Sequence, residues 1–191
     1  MAIILASKSP RRKELLERMG LEFIVKAPKI DEKMDPFGHP ADEVARISRE
    51  KAQAAAAFFK PEDIIIGADT IVVCDGLVMG KPRSESDAFS MLRRLSGRDH
   101  QVMTGLTVIG KGRKENLTVT TTLRMRPLSD VEIRNYIATG ESMDKAGAYG
   151  IQGRAAMFIV GIDGDFYNVM GLPVCTLTTL LRRFGVKLLG C

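Results

Sequence analysis

Six charged side chains stand where the sequence makes charge hard to explain as surface decoration: Arg11, Arg12, Glu32, Lys51, Asp69 and Lys81. The two arginines follow the stretch "LASKSP", residues 5–10, which places Ser7 and Ser9 just ahead of them. Serine then proline marks a helix start, with Ser9 as N-cap and Pro10 in the first turn. Backbone N–H groups at such a start are unpaired, and the helix dipole adds partial positive charge. Two hydroxyls and two guanidinium forks complete a place suited to phosphate oxygens. A capped surface helix with solvated arginines fits this segment alone equally well.

The other four charges repeat that ambiguity. Lys51 falls in the middle of an apolar helical stripe, where a lysine either snorkels to water or faces an anion or a wet cleft. Asp69 lies inside a β-rich run, Lys81 just beyond the next one, and Glu32 in the acidic loop "KIDEKMDPFG". Two carboxylates and several cations suit metal-assisted phosphoryl chemistry. The carboxylates could hold Mg²⁺ and orient water, while the cations offset developing charge. Singly, each residue has a plainer account: Asp69 capping a turn, Glu32 solvated, Lys81 guarding an edge strand before Pro82. Jointly those accounts weaken. Standard motifs do not supply the chemistry: "GLVMGKP" lacks the P-loop spacing, "GKGRKE" fails the dinucleotide fingerprint, and no GxSxG is present.

The elements that must position these groups are readable from periodicity. Residues 2–6 read as a buried strand. A helix from Pro10 turns Leu15, Leu16 and Met19 inward and closes at Gly20. Residues 21–26 return as a strand. A long helix over 41 to about 59 carries Val44, Ile47, Ala55 and Phe58 on its stripe. Two β-rich runs flank Asp75-Gly76, a strong hairpin signal. Counting outward pairs Cys74 with Leu77 and Thr70 with Lys81, which predicts Asp69, Thr70 and Lys81 at the open end of the hairpin. Strict alternation opposes Asp69 to Lys81, and Gly67 and Gly80 offer the irregularity that could bring them together. "SESDAFSMLRRLSG" predicts a capped helix with Ala88, Met91, Leu92 and Leu95 inward.

Further along, strands are expected over 101–109 and 117–125, joined by the basic loop "GKGRKEN". A capping box at Ser129 and Glu132 starts a helix reaching Thr139. The glycine-rich stretch "TGESMDKAGAYGIQGRAA" follows. A last strand pair turns at Asp163-Gly164, and a final helix has Pro173 at its first position. This pattern predicts an α/β protein with a mixed sheet.

The totals bound the function. The chain has 191 residues, 45% hydrophobic and 27% charged, enough for one domain or two small lobes sharing a core. A net charge of +5 admits phosphate-bearing ligands without demanding them. Cys74, Cys175 and Cys191 are odd in number and widely spaced, which argues for a reducing compartment and against a disulfide frame or zinc site. Two histidines, His39 and His100, exclude a histidine-rich metal centre. The first residues do not read as a signal peptide, and no apolar run approaches ~18 residues, so no membrane partner and a cytoplasmic location are expected. Aromatic residues are only 6%, thin for stacking on single strands, and no DNA-reading motif is present, so nucleic acid is disfavoured as a partner.

The segments "LASKSPRRKELL", "IDE", "REKA", "GADTIVV", "MGKP", "MTG", "YIATGESMDKAGAYGIQG" and "GDFYNVMGLPV" together resemble, in order and over nearly the whole chain, the motifs of the Maf family of septum formation-type nucleoside triphosphate pyrophosphatases. The resemblance implies a single Maf-like domain over residues 1–191, with an inosine-triphosphate-pyrophosphatase-like fold: a long twisted mixed sheet and flanking helices in two lobes around a cleft. It implies hydrolysis of a nucleoside triphosphate between the α and β phosphates with a divalent metal, Mg²⁺ or Mn²⁺, which Glu32 and Asp69, as the two available carboxylates, are expected to hold directly or through water. In the family pattern Asp69 is the proton acceptor, and Glu32, Lys51 and Lys81 complete the catalytic set. Ser7, Ser9, Arg11 and Arg12 fall on the phosphate-binding segment. Arg12, Thr70 and Gln152 match the type acting on dTTP and UTP, and the Gln152 amide can meet the paired N3–H donor and O4 acceptor of uracil or thymine. The resemblance also implies house-cleaning of non-standard nucleotides, a link to cell-division arrest and a homodimer. A regulatory nucleotide- or nucleic-acid-binding protein affecting septum formation is the alternative.

Overall fold

The computed structural model describes residues 1–189, so Cys191 lies outside the described residues. Its strands form one mixed sheet in the order β2-β1-β3-β5-β6-β7, with β4 paired to β3. These strands are β1 (Ile3–Leu5), β2 (Ile24–Val25), β3 (Ile64–Cys74), β4 (Leu77–Met79), β5 (Asp99–Gly110), β6 (Arg113–Met125) and β7 (Ile159–Asp163). The helices are α1 (Pro10–Arg18), α2 (Pro40–Ala56), α3 (Glu85–Leu95), α4 (Asp130–Ile137), α5 (Phe166–Val169) and α6 (Val174–Arg183). The α/β class and the mixed sheet expected from the pattern are what the chain adopts. It divides into two compact units, and β3, β5 and β6 each have residues in both.

The first unit comprises Met1–Asp69, Thr104–Val119 and the chain from Gly171 onward. Here β1 pairs in parallel with β2 and with β3, Ile3, Ile4 and Leu5 facing Ile64, Ile65 and Ile66. Both runs are buried almost completely, the near-continuous apolar signature of parallel strands covered on both faces. Helix α2 lays Val44, Ile47, Ala52 and Ala55 on this sheet, all at most 1% exposed. Two glycines allow the approach. A Cβ on Gly67 would stand 2.3 Å from the Ser48 carbonyl oxygen, and one on Gly105 2.2 Å from that of Val44. Backbone meets backbone at both points, which sets how deeply the α2 side chains reach.

Helix α2 ends at Ala56, three residues short of the predicted limit, and Phe58 is 64% exposed rather than on the stripe. The alanine run 54–57 supplies helix propensity but too little apolar bulk to bury a further turn. Phe58 instead lies 4.1 Å beneath the Lys26 ammonium. The strand predicted over 21–26 contracts to the two residues of β2, whose side chains are exposed. The loop predicted after residue 109 is only a turn at Lys111 and Gly112, and residues 113–116 already belong to β6. Pro173 occupies the N-cap of α6 rather than its first position.

The second unit comprises Thr70–Met103 and Thr120–Met170. The hairpin turns at Asp75 (φ 51°) and Gly76 (φ 73°), both in the left-handed region that a tight antiparallel turn requires. Cys74 pairs with Leu77 as counted, but the ladder stops at Val72 and Met79, so it does not continue to Thr70 and Lys81. Ser84 caps α3, and the Ser129–Glu132 box caps α4 in full. Met91 is only half-buried on the inward face of α3. Helix α4 ends at Ile137, two residues before the expected Thr139. The last strand pair predicted around Asp163-Gly164 is a single strand, β7, antiparallel to β6. After it Asp165 caps α5 through the Tyr167 and Asn168 amides, converting the expected second strand into a short helix.

Candidate active site

Lys51 sits on the buried stripe of α2 with 8% of its surface exposed. Its Nζ donates to Asp69 Oδ1 at 2.7 Å and meets Glu32 Oε2 at 2.9 Å. Burying an ammonium is costly unless it is paired and hydrogen-bonded, and two carboxylates from distant segments supply that pairing. The Asp69 side chain is 15% exposed, whereas Glu32, on its loop, is 58% exposed. The ambiguity at Lys51 is thereby decided: it does not snorkel, and both carboxylates converge on it.

Arg12 joins this cluster from α1. It is 7% exposed, donating from Nε to the Gly171 carbonyl at 2.7 Å and from Nη1 to Ser7 Oγ at 3.0 Å. Burial presses its pKa below the usual arginine value, against the pull of the Asp69 carboxylate; neighbouring Arg11 lowers it further and Glu32 raises it. A guanidinium stays charged regardless, so the site holds a fixed cation beside its carboxylates. Ser7 Oγ also accepts the Ser9 backbone N–H at 3.2 Å. Ser9 takes the N-cap position of α1, yet its hydroxyl makes no capping bond. Ser7, Arg12, Glu32, Lys51 and Asp69 therefore form one set, with Ser9 and the half-buried Arg11 at its border.

The remaining predicted residues belong to the second unit. Thr70 follows Asp69 in β3 and is half-buried; strand alternation sends consecutive side chains to opposite faces. Lys81 lies just past β4 and is exposed, and the Gly80 carbonyl before it accepts the Gly147 N–H at 3.0 Å. Gln152 is exposed within the glycine-rich segment. That segment folds around Glu141, whose Oε1 accepts the Tyr136 hydroxyl at 2.9 Å and whose Oε2 accepts the Arg154 N–H at 3.0 Å.

Two residues that matter to the first cluster were passed over in the sequence. Arg46 donates to both oxygens of Glu43 and, at 2.9 Å, to the Lys33 carbonyl, while Glu43 Oε2 accepts the Asp35 N–H at 2.7 Å. This clamp ties the acidic loop bearing Glu32 to α2. The hydrogen bond from Arg46, joined by that from Asp35, holds the Glu43 carboxyl at about 2. Its sequence signal was the Glu43, Arg46, Glu50 spacing on one helix face, where Arg46 also meets Glu50 at 2.8 Å.

Among the described residues, no three His, Cys, Asp or Glu side chains gather as a metal cage. Two carboxylates converging on one point nevertheless fit Mg²⁺, which is usually held by one or two carboxylates together with substrate phosphates. No described helix is long and apolar enough to cross a membrane.

A relative from Symbiobacterium thermophilum named dTTP/UTP pyrophosphatase is 49% identical over 96% of this chain and 94% of its own length. Proteins of the same name from Bacillus velezensis and Moorella thermoacetica are 46% and 47% identical, each over 97% or more of both chains. The Staphylococcus aureus Ham1 protein shares the fold, with a TM-score of 0.53 over 96% of this chain and 99% of that one at 14% identity. The family model described as Maf-like protein matches residues 2–184. From the serines before α1 to the last turn of α6, this chain belongs to the Maf-like protein family.

Proposed function

We propose that the protein hydrolyses nucleoside triphosphates, dTTP and UTP foremost, releasing the nucleoside monophosphate and pyrophosphate. The observation that carries this reading is the convergence of Glu32 and Asp69 on Lys51, with the buried Arg12 beside them. The relatives' names point the same way. Nothing in the geometry or in those names supports the regulatory alternative.

In the proposed reaction a water adds to the α-phosphorus and gives its proton to Asp69. The bridging P–O bond breaks and the electron pair leaves with pyrophosphate. Lys51 fixes both carboxylates and supplies positive charge where the phosphoryl oxygens gain negative charge. Arg12, oriented by Ser7 and the Gly171 carbonyl, sets its fixed positive charge beside the phosphates, and Ser9 and Arg11 extend that surface. Lys81 is assigned to charge on the polyphosphate, and Thr70 and Gln152 to the choice of base. A divalent cation, Mg²⁺ or Mn²⁺, would be held by Glu32 and Asp69 and would neutralise phosphate charge.

The test is a panel of nucleoside triphosphates with Mg²⁺ or Mn²⁺, scored separately for pyrophosphate and orthophosphate. Pyrophosphate as the first product, fastest from dTTP and UTP, is expected. Orthophosphate released first would move the bond broken and overturn the reading.

A further inference from the structure

The glycine-rich segment is braced by side chains of its own neighbourhood, and the brace flanks Gln152, one of the residues assigned to the base. Besides accepting from Tyr136 and the Arg154 amide, Glu141 offers its own carbonyl to Lys145 Nζ at 2.8 Å. The Tyr136 hydroxyl accepts the Gly150 N–H at 3.3 Å. Its ring is 4% exposed and packs edge-on against Phe158, with centroids 5.3 Å apart. Burial, with the Glu141 hydrogen bond added, holds the phenol well above its usual pKa, so it donates across the physiological range.

Both neighbouring glycines leave the space that this arrangement fills. A Cβ on Gly153 would lie 2.3 to 2.5 Å from three carboxyl atoms of Glu141, and one on Gly150 2.6 Å from the Lys145 stem. The backbone at 150, 153 and 154 is therefore pressed against the Glu141–Tyr136–Lys145 group, and the exposed Gln152 lies in the chain between these fixed points. A hydrogen-bonding side chain discriminates only when its own position is settled, because an amide free to rotate matches either edge pattern equally well.

We infer that Glu141 is a positioning residue for base selection. Through Tyr136 and the Arg154 amide it holds the 150–154 backbone so that the Gln152 amide meets the pyrimidine edge in one orientation. This rests on the proposed dTTP/UTP reading and adds to it a residue that touches no substrate.

The experiment measures kcat and KM for pyrophosphate release from dTTP and from dATP in the full-length protein. The variants are Gln152→Ala, Glu141→Ala, Glu141→Gln, Tyr136→Phe and the Glu141→Ala/Gln152→Ala double. Glu141→Ala should lower the dTTP-over-dATP preference about 10-fold, the worth of one or two hydrogen bonds, through KM for dTTP with kcat nearly unchanged. Glu141→Gln, which keeps an acceptor for the Arg154 amide, should recover part of that preference. The double variant should be no less selective than Gln152→Ala alone, since the brace acts only through that side chain. Tyr136→Phe keeps the ring packing and should show the same loss in weaker form, so the inference stays testable if Glu141→Ala does not fold. A Gln152→Ala variant that stays selective sinks the base-reading assignment itself. If Gln152→Ala loses preference while the Glu141 and Tyr136 variants slow both substrates equally or neither, the brace alone is overturned.

Discussion

The Lys51 cluster and the glycine-rich segment solve the same problem, holding a polar group still, by opposite means. At Lys51 the groups arrive from separate stretches of chain: an acidic loop, the middle of a helix and a strand. They hold one another by ion pairs, and the fold's task is to press α2 against β3 at Gly67. Around Gln152 the hydrogen-bonding groups all lie within residues 136–154, and they hold the backbone on either side of it. Charge paired with charge in a partly buried place makes removal of one partner severe. Backbone bracing is graded, each bond contributing about 1 kcal/mol net. Chemistry is therefore expected to fail abruptly in the first region and selectivity to erode in the second.

Asp69→Asn is the strongest way to break that contrast. It keeps the shape and an acceptor for Lys51 but no base, and pyrophosphate release should fall about 10²–10⁴-fold. Near-normal turnover would mean that the cluster is structural. Gly67→Ala attacks the same region through packing. Its Cβ cannot share space with the Ser48 carbonyl, so α2 must lift, and a loss of about 3 kcal/mol is expected in denaturant unfolding. An unchanged midpoint would show that the close approach is not needed.

The two units also differ in how they respond to acid. His100, in the second unit, shares a 2.7 Å hydrogen bond with Tyr149, and burial lowers its pKa from 6.5 to about 4. The unfolded chain binds that proton first, so this contribution is intact above pH 6.5. It declines as pH falls towards about 4, by roughly 3 kcal/mol. Glu43, in the first unit, responds later. Its depressed pKa gives stability that is present above 4.5 and lost only as pH falls towards about 2. Unfolding free energies from pH 7 to 4 should show the His100 slope, and a non-titrating His100→Gln variant should flatten it.

Gly153→Ala sharpens the selectivity side. Gly153 has φ −104°, which any residue adopts, so the substitution tests space alone. The preference for dTTP over dATP should drop several-fold, by about 1 kcal/mol of misplaced hydrogen bonding, with melting temperature little changed. The smallest effect is expected from Arg46→Ala, which frees the acidic loop but leaves Glu32 in place. A turnover loss of about 3-fold at limiting metal, recovered at high metal, would fit the loss of one clamp hydrogen bond. No metal dependence would show that Glu32 needs no clamp.

Local signals were readable where local physics decides. The Ser129 capping box, the Asp75-Gly76 turn and the buried strands around Ile4 and Ile65 appear as expected, since each depends on residues within a few positions. Misreadings fell where partners are remote or competing. Phe58 fits the stripe by spacing but lies beyond the end of α2, under Lys26, and Asp165 captured two amides that a second strand would have used. Glu141 and Arg46 escaped because part of their work is done on main-chain atoms, the Arg154 amide and the Lys33 carbonyl, which carry no residue identity.

The order of residues thus determined on its own the longer strands, the side-chain-capped helices, the Asp75-Gly76 turn and an inventory of charges too many and too apolar in setting to be idle. It could not say which of those charges meet. That choice belongs to the tertiary structure, because an ion pair forms only where two backbones are brought within a side chain's reach. Here glycines at 67 and 105 let a helix settle directly onto the sheet, and the lysine it carries is left facing two carboxylates instead of water.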